Sequence, residues 1–71
     1  MITVREAVKL VEDGAEDIQL AYAGGLIDGF NWKNPITLAA YGDYFVDCIN
    51  AVGEDHFEFN LAVQMIKKTT D

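Results

Sequence analysis

Apolar and polar positions alternate regularly in several stretches of the chain, and the first of these has the period of a helix. Apolar residues recur at helical spacing from Val4 to Val11. Thr3 and Glu6 stand in the S/T-x-x-E order of a capping box, in which each side chain accepts a hydrogen bond from the other residue's backbone N–H. We therefore predict a helix over residues 4–12, ended by Gly14 in the left-handed conformation.

The next stretch has the period of a strand. Apolar side chains alternate with smaller or polar ones over residues 17–23, and a second apolar run covers residues 26–30. Between them, Gly24-Gly25 supplies the positive φ angles that a two-residue hairpin turn needs. The pattern favours a β-hairpin. The same dipeptide also suits the cleavage site of a secretion leader, although the acidic, aromatic-rich segment that follows is unlike a peptide bacteriocin.

A short second helix follows a polar loop over residues 31–35. Asn34 is a good N-cap and Pro35 suits the first helical position, so we predict a helix over residues 36–41 that Gly42 stops. The following segment, 44–52, is ambiguous. One helical face would carry Tyr41, Phe45, Ile49 and Val52, whereas one strand face would carry Tyr44, Val46, Cys48 and Val52.

The last stretch resolves this ambiguity. Apolar residues occupy every second position from Phe57 to Met65, which predicts a strand with one buried face. A long strand needs a partner, and the turn Gly53–Asp55 joins it to residues 44–52, which we therefore predict to be a strand as well. If 44–52 were helical instead, the domain would have three strands and a longer second helix.

These elements predict a single α+β domain over residues 1–71, with the order helix, hairpin, short helix, hairpin. Its antiparallel sheet would have three to four strands and be covered on one face. The chain has 71 residues, of which 51% are apolar. In a chain of this size, the free energy gained by burying apolar surface roughly equals the entropic cost of ordering the chain. We therefore expect a homodimer or an obligate complex.

Localisation follows from Cys48 and from hydropathy. One cysteine cannot form an intrachain disulfide, which indicates a reducing, cytoplasmic setting. The N-terminus lacks the apolar core of a signal peptide, and no apolar run approaches 18 residues.

Candidate catalytic groups are few, because the chain contains no serine. Cys48 and His56 could form a thiol–imidazole pair, but Cys48 lies among apolar residues, where we expect a buried, inert thiol. The run Glu54-Asp55-His56 contains three metal-ligand types but fits a solvated turn better. We predict no enzyme activity, no cofactor and no metal.

Charge is the feature that narrows the class of partner. Between Glu12 and Glu58 the chain carries ten acidic residues and a single basic one, Lys33. A surface of this sign repels nucleic acids and anionic membranes and attracts basic protein surfaces. Direct nucleic-acid binding and membrane binding are therefore disfavoured.

The predicted partner-binding residues combine carboxylates with two loop aromatics. Carboxylates on alternate strand positions and adjoining turns approximate the spacing of phosphates and could occupy a basic DNA- or RNA-binding cleft. A second acidic group covers residues 12–17. The aromatics Phe30 and Trp32 either cap the core or protrude as an anchor for the partner. The full set is Phe30, Trp32, Asp43, Asp47, Glu54, Asp55 and Glu58.

In size, charge and helix-plus-hairpin order, the chain resembles the small acidic proteins of phages and mobile elements, including anti-CRISPR proteins. Several members of that class act by mimicking nucleic acid. The resemblance implies an inhibitor of a basic nucleic-acid-handling protein, such as a CRISPR effector in the host cytoplasm, and assigns no residue. The alternatives are a small structural or regulatory homodimer that pairs through its sheet face or edge, and a small-ligand or metal-binding module.

Overall fold

A five-stranded mixed sheet with two helices forms the fold in a computed structural model that describes residues 2–61. The predicted α+β class is confirmed. The elements are β1 (Ile2–Thr3), α1 (Val4–Val11), β2 (Asp17–Tyr22), β3 (Gly25–Leu26), α2 (Pro35–Tyr41), β4 (Phe45–Ala51) and β5 (His56–Leu61).

The start of α1 confirms the capping box. The Glu6 backbone N–H donates to the Thr3 hydroxyl (3.2 Å), and the Thr3 backbone N–H donates to the Glu6 carboxylate (3.0 Å). The predicted left-handed Gly14 is wrong, because only Gly24 and Gly29 have positive φ among the glycines of residues 2–61. The helix ends instead on a right-handed Glu12, and the Gly14 N–H donates to the Val11 carbonyl (3.1 Å).

The first hairpin is confirmed, with its turn one residue earlier than predicted. Tyr22 pairs with Gly25, so the two turn residues are Ala23 and Gly24, with φ angles of 53° and 85°. Positive φ at both central positions is the requirement of a type I′ turn. The second strand of the hairpin is also shorter than residues 26–30.

The second helix and the second hairpin are confirmed within the described residues. The Asn34 side chain caps α2 by accepting a hydrogen bond from the Ile36 N–H (2.9 Å), and Pro35 is the first helical residue. Residues 44–52 contribute β4, which pairs antiparallel with β5. The predicted strand positions 62–65 lie outside the described residues.

The sheet order, β1-β4-β5-β2-β3, corrects the prediction of an antiparallel sheet of three to four strands. The sheet has five strands within residues 2–61, because the short β1 before α1 also joins it. The two hairpins lie side by side, so that β2 and β5 are neighbours and run parallel, with Asp17 opposite His56. Their order in the sheet depends on how α1 and α2 carry the chain across it, and no turn signal in the sequence encodes this.

The core lies between α1 and one face of the sheet, which we call the inner face. The side chains of paired residues on neighbouring strands point to the same face of the sheet, so the strand register shows on which face each of the other strand residues lies. The other face, called the outer face, carries mostly polar side chains, including Gln19, Glu58 and Asn60. The buried core residues are Val4, Ala7, Val8, Ile18, Leu20, Val46, Phe59 and Leu61.

A β-bulge at Asp47 explains why the prediction of a buried Cys48 is wrong. Val46 pairs with Leu61 but Cys48 pairs with Asn60, so β4 carries one extra residue at this point. The extra residue reverses the alternation of side chains. Cys48 therefore lies on the outer face and is exposed, whereas Ile49, opposite Phe59, lies on the inner face.

Candidate functional site

The parallel pairing of β2 and β5 brings two acidic segments together at one end of the sheet. Both strands begin there, because parallel neighbours start at the same edge. The backbone N–H groups of Glu16 and Asp17 both donate to the Asp55 carbonyl, at 2.7 and 3.2 Å. We call Glu16, Asp17, Glu54 and Asp55 the acidic end. The sequence had predicted these residues as two separate groups.

His56 lies between the two segments of the acidic end. Its Nε2 is 4.0 Å from Glu16 Oε2, and its Nδ1 is 3.9 Å from Asp17 Oδ2. Both distances exceed those of hydrogen bonds, so the imidazole does not hold either carboxylate in a fixed geometry. Among residues 2–61, no cluster of three or more His, Cys, Asp or Glu side chains has an arrangement that could hold a metal ion.

Asp43 and Asp47 lie at the opposite end of β4 and do not join this group. The Asp43 carboxylate accepts a hydrogen bond from the Arg5 guanidinium at 2.6 Å, so an adjacent cation compensates its charge. Asp47 is exposed at the bulge. It lies about 17 Å along β4 from Val52, which precedes the turn that carries Glu54 and Asp55. The structure thus divides the five carboxylates that the sequence placed in one group.

Glu58 occupies a third location, near the middle of the outer face. It pairs with Gln19 of β2 on one side and with Asn50 of β4 on the other. It is partly buried there, among polar side chains. It therefore lies on the sheet surface and not in the turn that carries Glu54 and Asp55.

Phe30 and Trp32 pack against the core and do not protrude. Both are partly buried, and the Phe30 ring meets the Tyr41 ring edge-on at 6.0 Å between centroids. The Lys33 ammonium lies 5.3 Å from the centre of the Trp32 ring, within the range of a cation–π contact. This placement corresponds to the core-capping alternative.

A shallow, open depression of about 230 Å³ lies beside the first hairpin, and sequence reasoning did not identify it. Two acidic residues, Asp17 and Asp28, and the aromatic Phe30 contribute to its lining. The loop after β3 forms it by turning back past the start of β2. No local sequence signal indicates that contact, because the two segments are about ten residues apart. The remaining lining residues are Gln19, Leu26, Ile27 and Gly29.

The structure separates the candidate nucleophile from its candidate base. Cys48 lies opposite Asn60 of β5. His56 is four residues before Asn60 on the same strand, so about 13 Å along the strand separates it from the position opposite Cys48. A thiol–imidazole hydrogen bond is excluded at this distance. No buried side-chain nitrogen or oxygen within residues 2–61 lacks a hydrogen-bond partner.

Within the described part of the chain, no helix is long and apolar enough to cross a membrane. No model of a known protein family, no curated protein and no solved structure matches the chain.

Proposed function

We propose that the chain is an acidic interaction module that inhibits a basic, nucleic-acid-handling protein by occupying its nucleic-acid cleft. The observation that carries the proposal is the acidic end, in which four carboxylates share one end of the sheet and none is paired with Lys or Arg in the described structure. CRISPR effectors in the host cytoplasm are the first class of partner to test.

The electrostatics of the acidic end suit such a partner. One exposed ion pair contributes only about 0–1 kcal/mol, so useful affinity requires several carboxylates that act together. The parallel pairing of β2 and β5 places Asp17 opposite His56, in strands that lie about 4.8 Å apart. The carboxylates of both segments are therefore grouped at one end of the sheet, where their combined negative charge attracts a basic protein surface.

The test compares two variants that have the same net charge but differ in where the charge changes. Glu54→Gln with Asp55→Asn neutralises two carboxylates of the acidic end and takes the formal net charge from −7 to −5. Ala39→Lys with Ala40→Lys gives the same −5 on exposed positions of α2, which leads to the opposite end of β4. Lysine is nearly as good a helix former as alanine, so the control retains the helix.

The assay is competition between the chain and labelled DNA or RNA for a purified panel of basic nucleic-acid-binding proteins, including a CRISPR effector. We expect the wild type and the α2 variant to displace the nucleic acid from at least one panel member. The acidic-end variant should need about tenfold more protein, the equivalent of 1.4 kcal/mol. Equal weakening of both variants would show that only net charge matters, and the proposed function would then be wrong.

A further inference from the structure

Within residues 2–61, most of one edge of strand β4 pairs with no other strand, and this edge leads toward the acidic end. Its neighbour β1 pairs only with Phe45 and Val46, so β4 has no described neighbour on that side from Asp47 onward. All residues from Asp47 to Val52 are exposed. We call residues 47–52 the free edge.

The hydrogen bonding of β4 shows which backbone groups point away from the sheet. The Val52 N–H donates to the His56 carbonyl (3.0 Å), so Val52 faces β5. Backbone groups alternate in direction along an antiparallel strand, which directs the N–H and C=O of Ile49 and Ala51 outward. No residue in the described part of the chain pairs with them. They form a template for one further strand.

The side chains along the free edge are uncharged between its two ends. No residue from Cys48 to Gly53 is charged, and Ile49 and Val52 are 36% and 56% exposed. Native proteins commonly protect an edge strand with lysine, proline, a β-bulge or a covering segment. Within residues 2–61, this edge has the bulge at Asp47, and its central part carries no lysine or proline and is covered by no other described segment. Acidic residues lie on either side, with Asp47 at the bulge and Glu54 and Asp55 in the turn.

We propose that the free edge binds an extended, basic segment of a partner protein as an added β-strand. The proposal rests on the proposed function and identifies the kind of segment that the partner presents. Ile49 and Ala51 supply the main-chain hydrogen bonds of strand addition. Asp47 and Glu54 select lysine or arginine on either side of an uncharged, β-branched centre.

Charge complementarity favours this occupant over a second copy of the chain. An antiparallel self-pairing that joins Ile49 of one copy to Ala51 of the other places the Asp47 carboxylate of each copy opposite the Gly53–Glu54 turn of the other. The Asp47 carboxylate of each copy then lies near Glu54 of the other, and each copy carries a net charge of −7, so the two copies repel each other. A basic segment replaces this repulsion with attraction at both ends.

The two occupants predict opposite effects of salt. Binding of a basic segment weakens as salt rises from about 50 to 200 mM, because screening reduces the attraction between opposite charges. Self-association strengthens over the same range, because screening reduces the repulsion between like charges. The sign of the salt dependence therefore identifies the occupant.

The test uses a synthetic ten-residue peptide in which three valines and a threonine form the centre and lysines form both ends. The peptide is titrated into the labelled 71-residue chain and followed by NMR, and amide hydrogen exchange is measured before and after the peptide is added. We expect the Ile49 and Ala51 amides to exchange rapidly in the free chain and to become protected in the complex. Asn50 and Val52, which face β5, should be protected in both states.

Ala51→Pro removes the outward N–H at the centre of the free edge. Proline is tolerated on an edge strand where the missing N–H faces solvent, so the sheet should form and the peptide should bind at least about tenfold more weakly. A spectrum that retains the wild-type β5 shifts verifies the fold of this variant. If it does not fold, the amide exchange of the wild-type chain decides the question alone.

The outcomes separate this proposal from the proposed function. If Ala51→Pro binds as tightly as the wild type while Glu54→Gln with Asp55→Asn binds weakly, strand addition is wrong and the acidic surface stands. If Ala51→Pro binds weakly while Glu54→Gln with Asp55→Asn binds as tightly as the wild type, strand addition stands, whereas the selection of basic residues by Glu54 and the proposed function are both wrong. Protection of Ile49 and Ala51 that depends on chain concentration and strengthens with salt identifies a second copy as the occupant, which overturns the proposal.

Discussion

Gly42 is the residue whose replacement tests the close approach of the chain at the end of α2 most directly. It follows α2, and its carbonyl accepts a hydrogen bond from the Arg5 N–H (3.0 Å) at the start of α1. Its φ of −60° suits any residue, so glycine is not required for backbone conformation. Space is the constraint, because an added Cβ would lie 2.6 Å from the Leu38 carbonyl oxygen and 2.7 Å from the Arg5 guanidinium.

The expected magnitude of Gly42→Ala combines two opposing effects. Overpacking of a tight site costs about 1–3 kcal/mol, since backbone or neighbouring side chains must move. Replacement of glycine restores about 0.4–1 kcal/mol by restricting the unfolded chain. The net loss is about 1–2 kcal/mol. In a domain of this size, each kcal/mol lowers the melting temperature by about 4–8 °C.

Gly14→Ala is the matched control for this prediction. No atom lies within 4 Å of a Cβ built at Gly14, and its φ is not positive. We expect this variant to be as stable as the wild type or to gain about 0.4–1 kcal/mol. Thermal and urea unfolding followed by circular dichroism measures both variants. A Gly42→Ala protein that melts at or above the wild-type temperature would show that Gly42 does not lie as close to the Leu38 carbonyl as described.

Two further predictions concern the candidate site. Truncation of a fully buried large aromatic costs about 3–5 kcal/mol, and Trp32 is only partly buried, so Trp32→Ala should lower the free energy of unfolding in urea by less than this. It should leave inhibition of a partner unchanged. A variant with normal stability that no longer inhibits would identify Trp32 as an anchor instead. Glu54→Gln with Asp55→Asn should raise the melting temperature at low salt, since it relieves repulsion within the acidic end. The increase should disappear at about 1 M salt, and a decrease would mean that these carboxylates stabilise the fold.

Elements that depend on a few adjacent residues were predictable from the sequence. The Thr3–Glu6 capping box and the Asn34-Pro35 start of α2 form as expected, because each is a hydrogen-bonding requirement of one helix end. The strand over 44–52 was predictable from its neighbour, since a long strand needs a partner. The turn at Ala23-Gly24 was missed by one residue because pairing between strands, and not the glycine dipeptide, sets its position.

Features that depend on distant parts of the chain were not predictable in this way. The bulge at Asp47 lies directly after Val46, which pairs with both β1 and β5, and it moves Cys48 from the expected inner face to the outer face. The acidic residues of the candidate site were visible in the sequence, but their grouping was not. That grouping requires β2 to lie beside β5, a contact between segments about 40 residues apart.

The parallel alignment of β2 and β5 also explains why the carboxylates of the acidic end can meet a partner. The backbone N–H groups of Glu16 and Asp17, which could otherwise bind a neighbouring carboxylate, are both used by the Asp55 carbonyl. At the other end of the sheet, Arg5 compensates Asp43. In the described part of the molecule, an arginine therefore compensates negative charge at one end of the sheet, whereas no lysine or arginine does so at the acidic end. The free edge of β4 leads from the exposed Asp47 toward the acidic end, so a basic segment laid along it would encounter increasing negative charge toward the turn.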